Sequence, residues 1–295
     1  MDRLSRHPAR TAAPSARRPR PAARRWPDRH VLYEASVQSV DWELRFLRRL
    51  FRKHTGASPT RLREDFCGTA ALACAWAGRH PSHRAWGIDL DPGVLAWARR
   101  AHLARMDADA ARRVVLRHAD VLRARTPPVD LLVGLNFSYS VFTTRRQLGR
   151  WMRRAHASLD RPGMLVIDAY GGTHTMTANT ERRRVPASVS AAGEPVPPFT
   201  YVWEHAHFDV LSHRLRSHIH FEFPGGRAMR RAFTYDWRLW TLPELRELLA
   251  EAGFDPVEVY LHGWTPKGAS DDIYRRRTRY ENAIGWVAYL VAVKR

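Results

Sequence analysis

Apolar and polar positions along the chain keep two rhythms in turn. Leu44, Leu47, Leu50 and Phe51 fall on one face at helical spacing, which predicts a helix over 41–54. RAWGID (84–89) reads as a strand, and Asp91 with Pro92 opens a helix running to about Arg105. RVVLRHAD (113–120) reads as another strand. VDLLVGLN (129–136) and MLVIDAY (164–170) are nearly continuous apolar runs, as strands buried on both faces require. Between them Leu148, Trp151, Met152, Ala155 and Leu159 return to helical spacing. Strands alternating with helices predict an α/β fold with a parallel sheet covered by helices.

The segment 171–240 breaks this alternation. FTYVWEHAHFDV, RLRSHIHFEF and RAMRRAFTYDW alternate polar and apolar positions between turn signals, which predicts an inserted antiparallel β subdomain. Thr241 and Glu244 have capping-box spacing ahead of another helix, and strands follow at 256–262 and 286–293. Residues 1–30 carry nine arginines and five prolines with no apolar rhythm, so a disordered tail is expected there. The domain reading is therefore a tail over 1–30, a main domain over 31–170 and 241–295, and an insertion over 171–240 that covers a site.

Composition changes the picture only in places. The net charge of +20 raises nucleic acid as a partner, but 46 arginines stand against three lysines, a bias that GC-rich coding explains. No aromatic-laced RNA-binding module is visible, so nucleic acid is possible and not favoured. No apolar run is long enough to span a membrane. Cys67 and Cys74 are too few for a disulfide framework, which fits a reducing, cytoplasmic setting. The histidines at 205, 207, 213, 218 and 220 lack cysteine or tight carboxylate partners, so no metal site is expected, though one could act as a general base.

The candidate chemistry lies at strand ends. REDFCGTA (63–70) has a strand-like stretch before it and the helical run ALACAWA after it, a setting in which Gly68 lets backbone approach a ligand. Asp89 ends the next strand, 21 residues after Gly68, where a carboxylate can accept from both hydroxyls of a ribose. Asp120 ends the third, placed to accept from an adenine amino group while Val121 packs on the ring. Each alone has an ordinary reading as turn, cap or loop acid; three in order are harder to assign to chance.

These residues resemble a class I S-adenosylmethionine-dependent methyltransferase, over about residues 31–295. In that family the first loop reads acid-x-Gly-x-Gly-x-Gly; here Glu64 takes the acid position, and Phe66, Gly68 and Ala70 the glycines. The resemblance implies a Rossmann-like seven-stranded sheet whose last strand, 286–293, runs antiparallel beside 256–262. It implies S-adenosylmethionine as cofactor and S-adenosylhomocysteine as product. The loop Glu64, Asp65, Phe66, Cys67, Gly68 and Thr69 would lie against the methionine portion, with Glu64 or Asp65 pairing its ammonium. Asp89 and Leu90 would meet the ribose, Asp120 and Val121 the adenine. Cys67 reads as a packing residue, with no base beside it to make it a nucleophile.

The acceptor side is less legible. Asn136 and Tyr139 have a spacing that resembles the Asn-Pro-Pro-Tyr motif of amino-directed methyltransferases, and they are the candidate catalytic pair, with Asn136 also near the cofactor. Both prolines are missing, and a strand-end cap and a core tyrosine fit them somewhat better. Tyr235 and Arg238, in TYDWRLW, are candidates for holding an acceptor by stacking and by charge. Tyr33 and Gln38 are placed to close over the cofactor. The leading expectation is methyl transfer to a small-molecule nucleophile, nitrogen ahead of oxygen. The alternatives are an RNA or protein methyltransferase using the basic tail, and a protein that binds the cofactor without catalysis. The full Gly-x-Gly-x-x-Gly of a nicotinamide dehydrogenase is absent.

Overall fold

The first strand is the least apolar of the central ones, and its charges explain how it can be central. In the computed structural model, which describes residues 26–265 and 269–295, β1 (Arg61–Asp65) pairs in parallel with strands on both sides. Arg61 at its open end donates to Asp130 and Asp160, each at 2.6 Å. Arg63 is buried against Asp65, with Nε donating to Oδ1 at 2.7 Å. Both arginines are thus paired within the sheet, and the Arg63 charge is neutralised as buried charge must be.

Two helices precede β1: α1 (Arg29–Val37) and α2 (Val40–Thr55). After it come α3 (Ala71–Gly78), β2 (Arg84–Asp89), α4 (Pro92–Ala101), the single turn α5 (Ala108–Ala111), β3 (Val114–His118), β4 (Val129–Gly134), α6 (Arg145–Ser158) and β5 (Leu159–Gly171). The insertion holds β6 (Asn179–Val185), β7 (Ser188–Val189), β8 (Pro195–Val196), β9 (Phe199–Phe208), β10 (Arg214–Glu222) and β11 (Ala228–Arg238). The chain closes with α7 (Leu242–Glu251), β12 (Val257–Leu261), β13 (Arg275–Arg276) and β14 (Trp286–Lys294).

The main sheet has the order β13-β12-β14-β5-β4-β1-β2-β3. β1 to β5 are parallel, and β14 is antiparallel between β5 and β12. The seven expected strands are present, and the two-residue β13 adds an eighth at the edge. Helices α2 and α3 pack Leu47, Leu50 and Trp76 on one face of the sheet, while α6 and α7 pack Trp151, Leu245 and Leu249 on the other. The second sheet has the order β11-β10-β9-β6 and is antiparallel throughout.

The reading of 1–30 as tail needs a new boundary. Residues 1–25 lie outside the described residues, but Asp28 caps α1 through the His30 amide. Leu32 is fully buried in the core of the second sheet, with Tyr33 packed against Phe233. Tyr33 therefore belongs to a helix that the sequence pattern did not reveal, and Gln38 is its C-cap. The helix is short, and its apolar side faces the insertion rather than the main core, so no long periodic stripe marked it.

Candidate functional site

The loop after β1 keeps an unusual backbone. Phe66, Gly68 and Ala70 all have positive φ, at 58°, 50° and 55°. Two side-chain-bearing residues thus hold the left-handed conformation at the family's glycine positions, at about 1–2 kcal/mol each. The Phe66 ring packs 5.5 Å from Trp151 and 5.9 Å from Phe142, which offsets that strain. Above Gly68 the space is open: a β-carbon there would meet nothing within 4 Å. Thr69 is buried beside it, its hydroxyl without a partner among the described residues. An open cradle with an orphaned hydroxyl is the setting a ligand fills.

The two acids before this loop point to opposite faces, as neighbours on a strand do. Asp65 accepts from Arg63 and, at 2.9 Å, from the Trp151 indole. Its carboxylate is committed to an internal ion pair, which corrects its assignment to the cofactor. Glu64 accepts the Ala73 amide at 3.1 Å, in the first turn of α3. Burial pushes its carboxyl up to about 8, with Glu43 and Asp89 adding to the rise against the pull of that amide. No lysine or arginine pairs with it among the described residues.

Asp89 ties two loops together. Its carboxylate accepts the Gly68 amide at 2.7 Å and the Asp91 amide at 2.9 Å. Each oxygen keeps a second lone pair for a ligand hydroxyl. Leu90 beside it is 64% exposed, an apolar surface open to a flat ring. Asp120 accepts the Leu122 amide at 2.8 Å, lies 4.0 Å from Arg123 and is half-buried. Val121 is buried in the α6-side core and gives its carbonyl to Arg63 at 3.4 Å, so its side chain is core rather than an open ring contact. Cys67 packs on Gly87, and burial pushes its thiol well above the ordinary range, as a packing residue requires.

After β4 the chain turns through two further left-handed residues, Asn136 and Phe137. Their amides donate to Asp168 of β5, both at 2.9 Å. The sequence reading missed Asp168, although an acid inside the apolar run MLVIDAY was the available signal. Burial pushes its carboxyl up to about 7 despite the two amides, and Glu43 adds to the rise. This turn sends Phe137 toward the second sheet, where it packs 4.6 Å from Tyr170. It returns Tyr139 to the core, 2% exposed and stacked on Trp151. Tyr139 is therefore a core residue, which corrects its place in the candidate catalytic pair.

Between the strand ends and the second sheet lies a cavity of ≈ 510 Å³. Asn136 lines it, and so do ten aromatic rings, including Tyr33, Tyr170, Trp203, Tyr235 and Trp286. Its carboxylates are Glu181 and Asp272, and no lysine or arginine among the described residues lines it. Tyr235 is thus where an acceptor would meet it. Arg238 is not: it pairs with Glu244 at 3.0 Å and lies 3.8 Å over the Trp240 ring, a brace at the start of α7.

His205 is the histidine of the insertion that lines this cavity. Its Nε2 accepts from the Trp203 indole at 2.5 Å, which leaves Nδ1 to carry the proton. Burial pulls its pKa down to about 4, with His174 adding to the fall. The ring is therefore neutral near pH 7, and its Nδ1 has no partner among the described residues. His218 and His220 are engaged elsewhere, with Thr234 and with Glu204 at 2.7 Å. No group of ligands able to hold a metal occurs among the described residues, and no described helix is long and apolar enough to cross a membrane.

A parallel five-strand core, an antiparallel strand inserted beside β5, and a glycine loop facing an acid at the next strand end together define the fold of the class I S-adenosylmethionine-dependent methyltransferases. Solved structures carry the same fold over nearly the whole chain. The S-adenosylmethionine-bound amino pentose methyltransferase of Micromonospora echinaspora, involved in calicheamicin biosynthesis, is similar with a TM-score of 0.64 at 17% identity, covering 91% of this chain and 97% of its own. The sugar N-methyltransferase of Streptoalloteichus is similar at 0.60 and 19%, covering 97% and 100%. An S-adenosylmethionine-dependent methyltransferase of Clostridium acetobutylicum is similar at 0.59 and 13%, covering 88% and 96%. No family model and no curated protein sequence matches the chain.

Proposed function

We propose that this protein is an enzyme that transfers a methyl group from S-adenosylmethionine to the nitrogen of a small-molecule amine. The cavity carries this reading. In a chain of net charge +20, its described lining holds ten aromatic rings, two carboxylates and no lysine or arginine. Aromatic faces and carboxylates favour a cation, and such a wall disfavours phosphate-bearing acceptors. The similar structures described as amino pentose and sugar N-methyltransferases point the same way.

Gly68, Thr69, Asp89, Leu90 and Asp120 would hold the cofactor along three adjacent strand ends. Once bound, the cofactor supplies an electrophilic methyl group on a sulfonium. The chain's part is to align the nucleophile and exclude water. Asn136, fixed by its amide to Asp168, lines the cavity and would meet the acceptor there. The cover formed by β9, β10 and β11 desolvates the acceptor.

The test is calorimetric titration with S-adenosylmethionine and S-adenosylhomocysteine, followed by a panel of primary amines, amino sugars and their hydroxyl counterparts. Cofactor binding with turnover of amines over alcohols supports the reading. Absence of cofactor binding sinks it.

A further inference from the structure

A polar atom buried without a partner is costly, and residues of the cavity wall carry two of them. The Nδ1 of His205 and the hydroxyl of Tyr170 are shielded from solvent and have no hydrogen-bond partner among the described residues. Both residues line the cavity. His205 is 5% exposed and comes from β9, in the cover. Tyr170 comes from β5, in the main sheet. Their rings lie 6.2 Å apart, so the two side chains form one patch where the cover meets the main sheet.

Local bonds fix what each atom can offer. An indole N–H only donates, so the His205 Nε2 that meets Trp203 at 2.5 Å carries a lone pair, and Nδ1 carries the hydrogen. Asn179 lies opposite His205 in the β6–β9 register, but its amide nitrogen donates to the His174 and Thr177 carbonyls and makes no bond to the ring. Tyr170 is held by the Phe137 ring, 4.6 Å away, in the turn that carries Asn136. Its hydroxyl can donate or accept. The patch thus joins one fixed donor to one adaptable group. An ammonium has only hydrogens to offer and cannot satisfy the His205 N–H. An oxygen with two lone pairs can accept from both residues. An anionic oxygen would meet the carboxylates of Glu181 and Asp272 in the same wall, with no lysine or arginine among the described residues to balance it. A neutral oxygen fits without that penalty.

We propose that His205 and Tyr170 form a specificity site for a hydroxyl of the acceptor, so that the substrate is an amine bearing a neutral oxygen and not a plain alkylamine. This rests on the amine methyltransferase reading of the same cavity. The amine and the oxygen are then read by different parts of the wall: aromatic faces and carboxylates favour the cation, and the His205–Tyr170 patch takes the oxygen. One hydroxyl contacted from both β5 and β9 fixes the orientation of the acceptor between the strand ends and the cover. A site built this way rejects the analogue that lacks the hydroxyl, because its own buried polar atoms are then left unpaired.

The experiment is calorimetric titration of the full chain, saturated with S-adenosylhomocysteine, with cyclohexylamine and with the ring-position isomers of aminocyclohexanol. At least one aminocyclohexanol is expected to bind about tenfold more tightly than cyclohexylamine. Tyr170→Phe and, independently, His205→Phe should each shrink that preference while leaving cyclohexylamine binding in place. Tyr170→Phe removes only a hydroxyl that has no partner within the fold, so the melting temperature of the free chain should not fall. A fall of several degrees would reveal a structural partner and overturns the proposal. Equal affinity for the amines with and without oxygen, or a preference unchanged in both variants, also overturns it and leaves the amine reading standing. Binding of none of these amines overturns both.

Discussion

The carboxylate of Asp89 holds the amide of Gly68 at 2.7 Å, joining the end of β2 to the loop that follows β1. The acid expected to meet a ribose thus also sets the position of the glycine that opens the cradle. Asp89→Ala removes both functions. It is expected to weaken S-adenosylhomocysteine binding by on the order of 1.5–3 kcal/mol, the range for hydrogen bonds to a charged group. Asp89→Asn keeps one oxygen for the Gly68 amide and should lose less. Calorimetry on the two variants checks the order; equal affinity in wild type and Asp89→Ala removes Asp89 from the site.

Arg63 and Asp65 form a pair that is essentially sealed from solvent. Arg63→Met leaves the Asp65 carboxylate buried with the Trp151 indole as its remaining side-chain partner. The expected cost is about 3–5 kcal/mol, read from urea unfolding. A loss below about 1 kcal/mol would mean that water reaches the pair.

His205 should remain neutral down to about pH 4, because burial opposes its charged form and the Trp203 indole occupies Nε2. Its folded pKa lies below the unfolded value near 6.5, so its contribution to stability is complete above that value and is lost as pH falls toward 4. Trp203→Phe frees Nε2, and the His205 titration should move back toward the ordinary range. Imidazole NMR across pH 3.5–8 follows both; a wild-type midpoint near 6.5 would show that the ring is not held neutral.

Arg238 braces α7 from outside the cavity. Arg238→Ala should lower stability by about 1 kcal/mol through loss of the Glu244 pair and the Trp240 contact. It should leave the preference among acceptor amines unchanged. A shift in acceptor KM without a shift in melting temperature would restore Arg238 to the acceptor site.

The strand ends at which cofactor residues were expected were legible because they depend on local order along the chain. Strand, turn and helix follow one another there, and Gly68, Asp89 and Asp120 sit where short periodic runs stop. Phe66 was the exception, since a left-handed phenylalanine needs the Phe142 and Trp151 rings around it, and those are distant in sequence. Tyr139 misled for the opposite reason. Its spacing from Asn136 was right, but two consecutive left-handed residues rotate the turn and return the ring to the core.

By itself the sequence determined the alternating α/β order, the antiparallel insertion and the acids at successive strand ends, because periodicity of burial and turn chemistry act over a few residues. Tertiary structure alone decided which acids are free. Asp65 and Glu64 are adjacent, yet one is neutralised by Arg63 while the other meets only the Ala73 amide and has no cation beside it among the described residues. It alone also assembled the cavity, whose rings come from α1, the turn after β4, β5, β9, β11 and the segment from β12 to β14. Charge pairing and enclosure depend on distance in space, and the order of residues along the chain does not carry that distance.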